Sequence, residues 1–372
     1  MNLSCIKLRW LAIGASVALL TACGGGGSGY STPAPSATPF YAATSLVSDY
    51  SASTNPYNSP NVDANLVNAW GLVFNPVGFV WVANAGSSTS TLYDGNGVRQ
   101  TLVVAIPAGT AGAANPTGIV YNGTSDFVVS QGGVSGASPF VFVGEAGTLS
   151  GWSPGVNLTN AIKVFDGAAA GAVYKGLALT SNGPANFLYA TDFHNARVDV
   201  FDATFTKVPV AGGFVDPTLP AGYAPFGIQA IGGALYVTFA KQDAAAHDNV
   251  DGAGLGLVDV FDATGHFVKR LVNVGGALNA PWGIALAPAN FGPFGNALLV
   301  GNFGDGKINA FNASTGALMG TLSNAAGTPI AIDGLWGIAF GNGINSQPTN
   351  TLFFTGGPAG ETHGVYGRID LH

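Results

Sequence analysis

The sequence predicts an all-β fold: a six-bladed β-propeller whose blades are four-stranded and antiparallel. Three observations lead there. A short phrase centred on a glycine recurs six times, at steps of roughly 50 residues, the period at which propellers and other arrays repeat one supersecondary unit. Each phrase is followed by further β-rich runs separated by turn residues, which builds the four-strand unit of a blade. The 372 residues include 56 glycines and 21 prolines, with 8% charged and 47% hydrophobic. That is too apolar for a disordered chain and too rich in turn formers for a helical one, and the glycines lack collagen's three-residue period.

Taken in order, the chain opens with Lys7 and Arg9 ahead of an apolar run over residues 10–20. This is the layout of a secretory signal and is too short to span a bilayer. The run ends in Leu20-Thr21-Ala22-Cys23, which resembles the bacterial lipobox and implies cleavage before Cys23 and its lipidation. Residues 24–29 and 31–36 are rich in Gly, Ser, Thr, Ala and Pro, a flexible tether that cannot bury a core. The expected organisation is a lipoprotein signal peptide over residues 1–22, lipidated Cys23 and tether over 23–39, and the propeller over 40–372. Cys5 and Cys23 are the two cysteines, one cleaved away and one acylated on this reading, so no thiol remains for a disulfide, a zinc site or a nucleophile. The expected location is the cell envelope, with the membrane as partner through the lipid. Gly24 in place of an aspartate favours the outer membrane over the inner.

The repeated phrase reads Asn68-Ala69-Trp70-Gly71-Leu72-Val73-Phe74 in the first repeat and Ala280-Pro281-Trp282-Gly283-Ile284-Ala285-Leu286 in the fifth. Its glycines are Gly71, Gly118, Gly176, Gly227, Gly283 and Gly337. As the innermost strand of each blade, the phrase converges on a narrow channel, where a residue without Cβ lets backbones approach. Second strands are expected over residues 79–84, 127–130, 187–192, 235–239, 297–302 and 351–355. Third strands such as residues 197–202 and 307–312 alternate polar and apolar side chains, the period of a half-exposed strand. Asp94-Gly95-Asn96-Gly97 and Asp262-Ala263-Thr264-Gly265 read as hairpin turns into fourth strands. The last repeat stops after its third strand, residues 365–370, while an unassigned strand lies over residues 41–49. An N-terminal strand joining the last blade closes the ring and removes a raw edge.

The repeats resemble NHL-repeat and gluconolactonase-like six-bladed propellers over the whole mature domain. Residues 65–71, 189–194 and 238–243 also resemble an exported bacterial propeller family of unknown function. The gluconolactonase resemblance implies a metal held by a glutamate near the start of the first blade plus Asn and Asp from later ones. This chain departs from it: the first blade offers Asn68 and Asn84, and Glu145 and Glu361 fall in other blades.

Two sets of loops share one face of such a disc. Asn68, Asn115, Asn279 and Asp333 lie on those leading into strand one; Asn84, Gln131, Asp192, His194, Lys241, Asn302 and Asp305 lie on those joining strands two and three. Their oxygens either gather round a hard divalent cation such as Ca2+, with Asn84, Asn115, Asn279, Asn302 and Asp333 as ligands, or cap tight turns. The residue before each anchoring glycine forms a second ring: Trp70, Thr117, Lys175, Phe226, Trp282 and Trp336. Its aromatics either wedge between blades or line a ligand site. His194, His247 and His363 all fall between strands two and three. The fourth-blade loop, residues 241–256, holds the densest charge in the chain, with Lys241, Asp243, His247, Asp248 and Asp251. His194, Asp192 and Lys241 are the catalytic candidates, and Trp70, Trp282, Trp336, Phe226, His247 and Asp305 the ligand-binding ones. Asp192, His194, Lys241 and Asp305 are expected on one face.

A net charge of −7 excludes the cationic field that nucleic acid requires. The sequence also lacks a Gly-x-Ser-x-Gly elbow, a phosphate loop, a His-Glu-x-x-His and a dinucleotide fingerprint, which removes the commonest catalytic frameworks. Two readings remain: a monomeric, membrane-anchored scaffold that binds a ligand or an envelope protein, and a metal-dependent hydrolase or lyase acting at the channel mouth.

Overall fold

Every repeated phrase becomes the first strand of its own antiparallel sheet, and each of these strands ends the strand order of its sheet, facing the axis. The structure is a computed structural model that describes residues 39–51 and 53–372. The expected signal peptide, Cys23 and the expected tether, up to residue 38, lie outside the described residues. Blade one comprises Ala69–Phe74, Val80–Asn84, Thr89–Tyr93 and Arg99–Ala105. Blades three, four and five repeat this order from Tyr174–Asn182, Tyr223–Ile231 and Pro281–Leu286. The expected turns form as local chemistry dictates: Asp94 Oδ1 accepts from Asn96 N and Val98 N, and Asp262 Oδ1 accepts from Thr264 N and His266 N.

The glycines are where neighbouring blades touch. A Cβ on Gly283 would lie 2.5 Å from the Trp336 carbonyl oxygen and 3.0 Å from Ile338 Cγ1, and one on Gly176 would lie 2.9 Å from the Phe226 carbonyl oxygen. The nearest obstacle in each case is a backbone carbonyl in the first strand of the next blade, which no rotamer change moves. Gly283→Ala is therefore expected to destabilise by about 1–3 kcal/mol, the usual cost of overpacking. Chemical unfolding that showed no loss would mean that the blades are not in backbone contact there.

The last blade is built from both ends of the domain. Leu335–Phe340, Leu352–Gly356 and Val365–Leu371 are completed by Tyr41–Ser48, which runs antiparallel with Tyr41 opposite Leu371 and Ser48 opposite Val365. A short fifth strand, Asn61–Val62, adds in parallel outside it, an element the repeat pattern did not anticipate because it belongs to no repeat.

The second blade departs from expectation. Residues 127–130 are not its second strand: Val128–Gln131 turns at Gly132 and Gly133, both at positive φ, and pairs with Val134–Ala137 as a separate hairpin. The second strand is Phe140–Gly144, between Pro116–Tyr121 and Thr148–Trp152. Both runs are β-rich, and burial decides between them. Phe140–Gly144 is buried throughout and Phe140 stacks on Trp81 at 3.9 Å, whereas Val128 and Val134 are each 49% exposed. Gln131 therefore sits on the inserted hairpin, and the loop at the channel mouth carries Glu145 instead.

The hydrophobic core lies in clusters between successive blades. Along the axis, the face where strand one ends opens as a cavity of about 390 Å³ lined by Leu72, Val120, Leu179, Ile231, Leu286 and Phe340. It narrows to about 40 Å³ beside Gly71, Gly118, Gly283 and Gly337. Among the described residues no helix is long and apolar enough to cross a membrane.

Candidate functional site at the channel mouth

At the opposite end the channel is closed by aromatic rings. Trp70 and Trp336 stack with centroids 3.6 Å apart and planes 14° from parallel, and Phe303 stacks on Trp336 at 4.1 Å. Trp282 meets both indoles edge-on at 6.3 and 6.1 Å, and Phe226 meets Trp336 at 5.9 Å. The ring expected to wedge between blades or to line a ligand site does neither as a whole. Holding the same register in successive inner strands, its members reach the same level of the axis and pack on one another. Trp70, Trp336 and Phe226 are 1%, 1% and 0% exposed, while Trp282 is partly open. Two indoles are tied by polar bonds: Trp336 Nε1 donates to Asn68 Oδ1 at 2.9 Å, and Trp282 Nε1 to the Lys175 carbonyl at 2.8 Å.

Lys175 holds the same register in blade three, and its side chain is only 2% exposed. Its ammonium donates to Glu145 Oε1 from the blade-two loop and, at 3.1 Å, to Asp248 Oδ1 from the long blade-four loop. It also lies 5.3 Å from the centroid of Trp70, within cation–π range. Burial pulls the Lys175 pKa down, but Glu145 and Asp248 more than reverse this and the net shift is upward. Partial burial lifts Asp248, and Lys175 with His247 outweighs it, leaving that carboxyl below its usual range. Asn68 Nδ2 donates to Glu361 Oε2 at 2.8 Å, and burial raises the Glu361 pKa despite that bond. His247 Nδ1 lies 3.0 Å from Asp248 Oδ1. Beside this cluster a cavity of about 260 Å³ is lined by Asn115, Glu145, Gly171, Val173, His247 and several alanines.

The expected cation ligands are engaged in bonds of their own. Asn279 Oδ1 accepts from Gly252 N at 2.7 Å, and Asp333 Oδ2 from Ala359 N at 3.0 Å. Asn84 donates to Thr89 and Thr91, Asn302 to the Ala277 carbonyl and Asp305, and Asn115 lies 3.5 Å from Glu145 Oε2. The Oδ1 atoms of Asn84 and Asn302 are buried without partners, but they belong to blades one and five. Glu145, His247 and Asp248 do bring ligand atoms within 4.8 Å of one another, yet the Lys175 ammonium is bonded between the two carboxylates. The residues present do not fit a divalent cation at the mouth.

Among the catalytic and ligand-binding candidates of the loops, Asp192, Lys241 and Asp305 are each bonded to neighbouring groups. Asp192 is buried and accepts from Val173 N at 3.2 Å and Asn195 N at 3.3 Å, with Arg197 at 3.1 Å. It caps its turn, and burial raises its pKa. Lys241 Nζ donates to the Ala221 carbonyl at 3.0 Å and lies over Tyr223. Asp305 accepts from Asn302 and pairs with Lys307 at 3.0 Å. His194 is exposed, and His363 bonds Asp49 at 2.9 Å while stacking on Tyr50. The mouth instead joins Glu145 and Lys175, which sequence reasoning left out of the site, to Asp248, and ties Glu361, also left out, to Asn68. One signal was available: Lys175 is a lone cation in a ring that is mostly aromatic, and a lysine buried there requires acidic partners.

No family model matches the chain. The uncharacterized protein R648 of Acanthamoeba polyphaga mimivirus is 31% identical over 338 residues, covering 89% of this chain and 82% of that protein. The chain belongs to the R648 family. The uncharacterized protein L690 of the same virus is 33% identical over 299 residues, covering 78% of each chain. These R648-family relatives are viral and do not carry the resemblance to exported bacterial propellers. Among solved structures, a glucose dehydrogenase aligns at TM-score 0.50 and 12% identity, covering 82% of this chain and 96% of that one. At that identity the R648-family chain shares its fold alone. Virginiamycin B lyase from Staphylococcus aureus aligns at TM-score 0.48 and 13% identity, covering 89% and 99%.

Proposed function

We propose that this R648-family chain is a lipid-anchored, extracytoplasmic propeller that binds a ligand or an envelope protein through its loop face as a monomeric scaffold. The observation that carries this reading is the state of the mouth. Stacked indoles close the channel beneath it, the Lys175 charge above is matched within the chain by Glu145 and Asp248, and Asp192 and Lys241, two of the catalytic candidates, are bonded to backbone of their surroundings. What is left to the surroundings is a shaped surface with a shallow cavity beside His247. Rigid blades carrying a long loop suit recognition. The second reading, a hydrolase or lyase, is favoured by the His247–Asp248 pair at the edge of that cavity, since a carboxylate bonded to Nδ1 leaves Nε2 free to act as a base. Its metal-dependent form meets the difficulty that Lys175 is bonded between the two carboxylates.

Cys23 tests the anchor. In a Gram-negative cell the wild-type chain is expected in the outer-membrane fraction, and Cys23→Ala in the soluble fraction or unprocessed. A processed Cys23→Ala chain that stayed membrane-bound would remove the anchor from this reading. The binding half is checked by placing a photoreactive residue at His247 on the loop face or at Leu286 on the opposite one. Discrete adducts from the first position and none from the second are expected; equal labelling defeats the assignment of the loop face.

A further inference from the structure

We propose that the Lys175 ammonium is a built-in cation: it ties blades two, three and four together across the channel mouth and does there what a bound divalent ion does elsewhere, so the loop face assembles without metal. The proposal rests on reading that face as the binding surface and says how it is held.

Glu145 and Asp248 approach the axis from different blades and bond one ammonium. Two carboxylates brought that close repel and resist ionisation unless a positive charge stands between them. An ammonium has three donors and no acceptor, and this one directs two of them to carboxylates with the Trp70 ring beside it. The chain delivers it there for a topological reason. Lys175 occupies the register that carries Trp70, Phe226, Trp282 and Trp336 to the axis, so the charge arrives with the strand and needs no recruitment from solvent. A calcium ion, by contrast, takes 6–8 oxygen ligands, and among the described residues the mouth brings together two carboxylates and one imidazole.

The long fourth-blade loop is held by its own bonds and by the same ammonium. Asp243 Oδ1 accepts from His247 N at 2.9 Å and Asp248 N at 3.3 Å, Gln242 Nε2 donates to the Phe193 carbonyl at 2.6 Å, and Asp248 reaches Lys175. The loop thus sits over the mouth through a tether that chelators cannot remove.

The test titrates Ca2+ and Zn2+, separately, into the full domain and follows heat and thermal midpoint. The wild type is expected to show no saturable site and no change in Tm with ion or chelator. Lys175→Ala removes the ammonium and leaves Glu145, His247 and Asp248 round the space it occupied. It is expected to lose several degrees of Tm and to gain a site for roughly one Zn2+ per chain, which three such ligands and a water can hold, and the bound ion should restore part of the loss. Lys175→Ala with Glu145→Gln should lose that gain, and Lys175→Met, which fills the space without charge, should be destabilised with no rescue by metal. A folded Lys175→Ala that stays indifferent to metal overturns the proposal. So does a wild-type metal site that Glu145→Gln abolishes. If Lys175→Ala does not fold, that wild-type comparison decides together with Asp248→Asn, which should make the fourth-blade loop more protease-sensitive whether or not metal is present; unchanged sensitivity counts against the tether. None of these results alters where Cys23→Ala fractionates or which face crosslinks, so a failure here is separable from a failure of the scaffold reading.

Discussion

Deletion of Tyr41–Ser48 is expected to abolish cooperative folding, the largest effect of any short change in this chain. The strand contributes three buried hydrophobic side chains, Tyr41, Leu46 and Val47, at 2%, 6% and 0% exposure. Tyr41 packs on Phe291 at 4.8 Å and Phe294 at 5.8 Å, and its hydroxyl donates to the Phe291 carbonyl at 2.8 Å, so it joins blade six to blade five. Full burial of a large apolar side chain contributes about 1.5–3 kcal/mol, so three such losses amount to roughly 5 kcal/mol or more, comparable with the whole stability of many domains. Deletion also strips the partner from Val365–Leu371 and leaves an unpaired edge open to association. Deletion of residues 24–36 shortens a tether that buries nothing on the sequence reading, and should leave the midpoint unchanged. Circular dichroism melts and size-exclusion profiles of the two truncations make the comparison. Equal midpoints would refute closure of the ring by its N-terminal strand.

Trp336→Ala should cost about 3–5 kcal/mol, the range for emptying a buried large aromatic site. Its indole is sandwiched between Trp70 at 3.6 Å and Phe303 at 4.1 Å, and it meets Trp282 and Phe226 edge-on. The substitution also takes the donor from Asn68 Oδ1, and Asn68 in turn orders Glu361. Trp282→Ala should cost less, because that ring is partly open and its surroundings can collapse or hydrate. Urea unfolding of the two variants ranks them. A larger loss for Trp282→Ala would mean that the stack is not the core of the channel closure.

The correct and the missed assignments divide by the range of the interaction. The glycine phrase and the aspartate-capped turns at Asp94 and Asp262 were legible because each is specified within a few residues, by backbone sterics and side chain to backbone bonds. The N-terminal closure was legible too, since a missing fourth strand at one end and a spare strand at the other can be counted. The second blade was misread because two neighbouring runs, residues 127–130 and Phe140–Gly144, both have strand chemistry. Only packing against Trp81 and Trp152 selects the second.

By itself, then, the sequence determined the repeat, the number of blades, the order of strands within most of them and the face on which the polar loops lie, because a propeller blade is a local unit built from contiguous chain. Which side chains meet at the mouth was decided by tertiary structure alone. Lys175 bonds partners 30 and 73 positions away, and the Trp336 indole bonds Asn68 across 268 positions. A lysine in an apolar strand carries no local mark of the acids that will neutralise it. Those acids come from loops of other blades, and closure of the ring, which sets the distance between blades, is what turns separate residues into one buried ion cluster.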